Sequence, residues 1–141
     1  MSNTFRFFSP GTPVPKGSIR AFVPKGWTRP VLTSTSGQPL KAWQSSVTYT
    51  AMQNGLKATD AAVSLDIGFV MPRPKSMPKR VTQHVKKPDI DKLARSVLDA
   101  LTGVAYQDDS QVVLLTCRKQ YTTDGKTGAW ISVTTESEVT P

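Results

Sequence analysis

Four prolines within one short segment, Pro72, Pro74, Pro78 and Pro88, constrain this chain more than any other feature. Each lacks a backbone donor and fixes φ, so residues 72–88 enter neither a helix nor the interior of a sheet. On one side of the break, Val63, Leu65, Ile67, Phe69 and Met71 alternate with other residues, which predicts a strand over 62–71 with one buried face. On the other side, Ile90, Leu93, Ala94, Val97, Leu98 and Leu101 form a continuous apolar stripe at helical spacing, stopped by Gly103. The connection itself carries Arg73, Lys75, Lys79, Arg80, Lys86 and Lys87 with no acid, a segment charge of +6.

The remaining elements follow from the same periodicities. Thr4 to Phe8 reads as a strand, and the stretch Ser18 to Val23 pairs with Val31 and Thr33 as a ragged hairpin between Pro/Gly turns. From Pro39, the spacing of Leu40, Trp43, Val47 and Ala51 predicts a helix ended by Gly55. Val112 to Tyr121 and Ala129 to Thr135 read as strands joined by the turn Thr123-Asp124-Gly125-Lys126, and Glu136 to Pro141 as a frayed tail. There is no internal repeat and no long linker. The expected fold is α/β (α+β), a small mixed β-sheet with two helices packed on it, in a single domain over 1–141.

The formal net charge of +8 points to a polyanionic partner, because Lys and Arg that neutralise phosphates release condensed counterions. Charge alone does not separate nucleic acid from an anionic membrane. No apolar run approaches the roughly 20 residues that span a bilayer, and no basic amphipathic helix is visible, so a membrane role is disfavoured. The opening Met-Ser-Asn-Thr-Phe-Arg lacks a signal-peptide core, and a single cysteine, Cys117, supports neither an internal disulfide nor a cysteine zinc cluster. A cytoplasmic setting is expected. Cys117 falls in a strand and reads as core. His84 reads as a solvated loop residue, which leaves histidine-based chemistry poorly supported. Trp27, Trp43 and Trp130 read as packing residues, with base stacking also open to Trp27.

Four of only ten acidic residues, Asp89, Asp91, Asp108 and Asp109, lie close to the basic segment. Pro88 favours a helix beginning around Asp89. Asp89 and Asp91 stand roughly 200° apart on an ideal helix, so they converge only if Asp89 lies at or before the N-cap. Carboxylates so placed suit a hard divalent cation. The plainer readings are a helix cap at Asp89, a dipole partner at Asp91 and a solvated turn at 108–110. Asp91, Lys92, Arg95, Ser96 and Asp99 share the face opposite the apolar stripe, and Asp91, Arg95 and Asp99 at i, i+4 spacing read as a surface ion-pair ladder.

Three coupled runs decide between these readings. Lys87-Pro88-Asp89-Ile90-Asp91-Lys92-Leu93, then Val97-Leu98-Asp99-Ala100-Leu101-Thr102-Gly103-Val104, then Asp108-Asp109-Ser110-Gln111-Val112-Val113 together resemble the RusA-type Holliday junction resolvases (the endodeoxyribonuclease RusA family). The leading Pro13-Val14-Pro15-Lys16-Gly17 is similar to the same family. The resemblance implies a homodimeric, Mg²⁺-dependent endonuclease, with Mn²⁺ as a possible substitute. It would resolve four-way DNA junctions by paired symmetric nicks in recombination and repair, in a bacterial or phage context. By position it assigns Asp89, Asp91 and Asp109 as the essential carboxylates, with Asp108 as a neighbouring metal ligand. The family's functional lysine falls on Arg95, a cation of different shape and hydration, and Lys92 stands where the family often has Asn. Lys16, Arg73, Lys75, Lys79, Arg80, Lys86, Lys87 and Lys92 are the expected DNA contacts. Two alternatives remain open: a general Mg²⁺ nuclease for branched DNA, and a noncatalytic junction-binding protein.

Overall fold

The alternation along residues 63–71 is carried through in the computed structural model, which describes residues 2–136 except 18, 24, 27, 30, 35 and 36, and only the backbone of 19–22 and 31–34. In chain order the elements are β1 (Ser2–Pro10), β2 (Ile19–Phe22), β3 (Val31–Ser34), α1 (Gly37–Gln53), β4 (Val63–Met71), α2 (Ile90–Leu101), a 3-10 turn (Asp109–Gln111), β5 (Val112–Tyr121) and β6 (Gly128–Glu136). Four strands form one sheet in the order β1-β6-β4-β5, and β2 and β3 form a separate antiparallel pair. The mixed sheet with two helices is as expected. β1, α1 and β6 extend a little beyond the predicted spans. Trp27 and the tail beyond 136 lie outside the described residues.

Within the sheet β1 pairs antiparallel with β6 and β6 with β4, whereas β4 and β5 run parallel, with Phe69 beside Lys119 and Met71 beside Tyr121. A parallel pair needs a crossover, and here it consists of the proline segment followed by α2. One face of the sheet supplies Phe7, Leu65, Ile67, Phe69, Ile131 and Val133 to a core that α1 and α2 close with Trp43, Val47, Leu93, Val97 and Leu101. Ser96, expected on the solvent face of α2, is buried. It accepts from Trp43 Nε1 at 3.2 Å and donates to the Leu93 carbonyl at 2.7 Å, so a hydroxyl ties α2 to α1 where both helices touch. The opposite register of the sheet is not covered by a helix, and Trp130 stands there 52% exposed against the Phe8 ring, less of a core residue than predicted.

β5 is an edge strand that the helices leave largely open. Val113, Leu114 and Leu115 are 69%, 60% and 42% exposed. The far end of its outer edge is occupied: Gln83 bridges Gln120, and the Tyr121 amide donates to the Thr82 carbonyl at 2.9 Å.

Candidate active site

Asp89 is the N-cap residue of α2, with φ −69° and ψ 141°, yet its carboxylate makes no capping hydrogen bond. The cap reading therefore fails for this side chain, which is exposed and has Lys92 Nζ 3.9 Å away. Asp91, in the first turn, and Arg95, one turn later, are both exposed and enter no ion pair among the described residues. The predicted Asp91–Arg95–Asp99 ladder is absent, because Asp99 is taken by Lys16 in a close ion pair. Lys16 was expected to contact DNA. It instead ties the Pro13–Gly17 segment to α2, an attachment its backbone amide repeats by donating to the Lys92 carbonyl at 3.1 Å.

The end of β5 reinforces this arrangement. Lys119 Nζ donates to the carbonyls of Lys86 and Pro88, both at 2.7 Å, so an ammonium on the inward register of a strand holds the turn that delivers Asp89. Sequence reasoning missed Lys119. The available signal was a lysine alternating in step with Cys117 and Tyr121, at the end of the strand where that face turns inward. Asp89 and Asp91 thus sit beyond the carboxyl ends of the parallel pair β4–β5, the place where open α/β sheets present ligand sites.

Asp108 and Asp109 lie elsewhere. Asp108 caps the 3-10 turn, accepting from the Ser110 amide at 2.8 Å, while Gln111 returns its side chain to the Asp108 amide at 2.9 Å. The Ser110 amide, aided by the Ser110 hydroxyl, holds the Asp108 carboxyl below the usual range, so the turn reading holds for this residue. Asp109 is exposed at the amino end of β5, beside the buried Tyr106, whose hydroxyl donates to the Leu98 carbonyl at 2.7 Å. Lys119 and Val112 are seven residues apart on an extended strand, which places Asp109 about 20 Å from Asp89. Accordingly, no three acidic, His or Cys side chains among the described residues are placed to hold a metal ion. The loop after α2 returns the chain to the wrong end of the helix for one chain to complete the expected set.

Two basic-segment residues also depart from expectation. Arg73 donates to the carbonyls of Thr122, Pro78 and Val81 at 3.2, 2.7 and 2.8 Å and lies over the Tyr121 ring, so its guanidinium braces the proline loop. Three of its five N–H donors are thus engaged by the chain itself. His84 is buried against Tyr121 rather than solvated, and burial, aided by Lys119, holds its pKa below the ordinary imidazole value. Lys75, Lys79, Arg80, Lys86 and Lys87 are exposed, as a phosphate-tracking surface requires. Cys117 is half-buried and burial raises its thiol pKa, in line with a packing role.

Fold and site together define a small basic α+β protein with two exposed carboxylates at a sheet's carboxyl end, flanked by a braced cationic loop. A profile of the family described as "Endodeoxyribonuclease RusA" matches residues 10–134, and the chain belongs to that family. The family is one of Holliday-junction-resolving endodeoxyribonucleases. A Bacillus subtilis (strain 168) protein named "Uncharacterized protein YqaN" is 38% identical over 69 residues, which cover 42% of this chain and 49% of that protein. The match thus spans about half of that relative. No helix among the described residues is long and apolar enough to cross a membrane.

Proposed function

We propose that this chain is a Mg²⁺-dependent endonuclease that resolves four-way DNA junctions as a homodimer, with Asp89 and Asp91 of one subunit joined by Asp109 of the other. The observation that carries the reading is the pair of carboxylates at the start of α2, set beside five exposed cations of the 75–87 loop. Neither caps the helix, and the long approach of Lys92 to Asp89 is their one ion pair among the described residues. Asp91 suits the positive end of the helix, but nothing in the fold requires an acid at Asp89. Phosphodiester cleavage does.

The division of the carboxylates between two ends of one chain favours a shared site. Among the described residues the outer edge of β5 is unpaired over its apolar half, and two such edges meeting antiparallel about a two-fold axis near Leu114 would bury Val113, Leu114 and Leu115 of both copies. The same register carries Asp109 to Lys119 of the partner subunit, and so to its Asp89 turn. A divalent cation held there supplies an acidified water and charge neutralisation at the phosphate. The protein's own part is to aim three carboxylates at one point, to offer Arg95 to the charge that grows in the transition state, and to track flanking phosphates with Lys75, Lys79, Arg80, Lys86 and Lys87. Lys92, next to Asp89, offsets the carboxylates before the cation arrives.

Purified protein incubated with four-way junction, flap, fork and linear duplex decides among the alternatives. Cleavage of the junction alone, dependent on Mg²⁺ or Mn²⁺ and giving paired nicks, is the expected result. Equal cutting of flaps and forks would make it a general branched-DNA nuclease. Tight junction binding without cleavage under any divalent cation would make it a noncatalytic binding protein.

A further inference from the structure

A cavity of about 610 Å³ opens beside Asp89, within the size range of pockets that accept small organic groups. Its lining is mainly apolar, formed by Pro13, Pro15, Pro72 and Met71, with His84 among them. The rim carries Lys87, Lys92 and Asp89. This combination of ring-sized apolar faces inside and two ammonium groups at the mouth matches a nucleotide, with a base that seeks stacking and a phosphate that seeks charge.

His84 adds a second observation. Its side chain is buried among these walls, with Nδ1 shielded from solvent and without a hydrogen-bond partner of normal geometry among the described residues. A buried polar nitrogen left unpaired costs stability unless something else satisfies it. The buried pair of Met71 and His84 is held in place by neighbours already described: β4 ends at Met71, and the loop bearing His84 is braced by Arg73 and pinned by Lys119.

We propose that this cavity receives one unpaired base of the DNA next to the strand being cut, stacking it on the more open Pro15 and Pro72 while Lys87 and Lys92 take the adjoining phosphates. The inference rests on the junction reading above and adds to it a device for choosing where to cut. In the open form of a junction, bases at the exchange point lose a stacking neighbour, so they are the cheapest in the molecule to draw out. Because the base and Asp89 share one rim, seating the base also fixes the scissile phosphate against the carboxylates. Cutting then depends on which base reaches the pocket.

The test uses the full chain, without divalent cations, bound to junctions that carry the fluorescent base 2-aminopurine at one exchange-point position at a time. At one position fluorescence should rise severalfold over the free junction, as it does when a base leaves its stack. Thr12, exposed and lining the cavity, offers a way to fill it from outside the core. Thr12→Trp should reduce the rise nearly to the free level, while junction affinity by gel shift changes little. On a junction with a movable exchange point, the wild type should favour some positions by about tenfold or more, and Thr12→Trp should flatten that preference. His84→Ala, which enlarges the pocket instead, should keep the fluorescence rise and weaken the choice of base. A bound junction with no position brighter than free DNA overturns the inference while leaving the nuclease reading intact, as does a full rise in Thr12→Trp. Failure to bind junctions at all overturns both. Free deoxynucleoside monophosphates that bind more tightly than the junction would mark a metabolite site and overturn the inference as well.

Discussion

Arg95 stands one turn after Asp91 on the same face of α2, at the position proposed above for a transition-state cation, and the partner that would have explained it as surface pairing is occupied by Lys16. If its charge serves the transition state, Arg95→Ala should lower single-turnover cleavage at saturating Mg²⁺ by well over tenfold and change junction binding by only a few-fold. Arg95→Lys should keep much of the rate, and neither variant should move the melting temperature appreciably. An unaffected rate in the alanine variant would move the role to Lys92. His84 makes a different kind of prediction. Its folded pKa lies below the imidazole value of about 6.5, so the unfolded chain takes up the proton first as pH falls. The stabilisation is therefore complete above about pH 6.5 and is lost as pH drops from there toward the folded value. Melting curves across this range should show wild type losing stability more steeply on the acid side than His84→Gln. Parallel slopes would mean that the imidazole is not held neutral.

At the scale of elements, the proline segment behaves as a braced structure rather than a loose basic tether. Arg73, expected among the phosphate contacts, spends three of its donors on carbonyls of the loop and the following turn. Neutralising Lys75, Lys79 and Arg80 together should reduce the log–log salt slope of junction binding by roughly 0.9 for each phosphate no longer neutralised. Arg73→Ala should leave that slope nearly unchanged and instead hasten proteolysis or amide exchange between residues 76 and 85. If Arg73→Ala lowers the slope as much as a lysine variant does, the brace also binds a phosphate. The contrast shows what was legible beforehand. β4, α2 and the strand over 112–121 were readable because their apolar residues repeat at a local period. Ser96 was not, since a hydroxyl becomes a core residue only when Trp43 arrives from another helix. Arg73 and His84 sat in a segment with no period, and their burial depends on the β5–β6 turn and Tyr121. The carboxylates were legible as residues, but their separation was not: it depends on where the chain runs after Gly103, which no local pattern records.

For the whole molecule, the question is whether the site belongs to one chain or to two. Asp89→Asn and Asp109→Asn should each abolish cleavage while leaving junction binding intact, because each removes a charge needed for the cation. Mixed subunits of the two variants then discriminate. In a shared site, the mixed dimer has one position lacking both carboxylates and one with the full set, so single nicks should reappear at up to about half the wild-type content of intact sites. If each chain holds its own site, mixing restores nothing. Leu114→Lys, which places a charge at the proposed axis, should yield monomers that still fold and no longer cut.

If the apolar half-edge of β5 joins two subunits as proposed, it has a consequence for dosage. A nuclease whose subunits each carry half a site is silent when dilute, since below the dissociation constant of the dimer the number of complete sites rises with the square of protein concentration. Few copies in a cell would leave its chromosomal DNA untouched, and a burst of synthesis would switch cutting on sharply, with no inhibitor required.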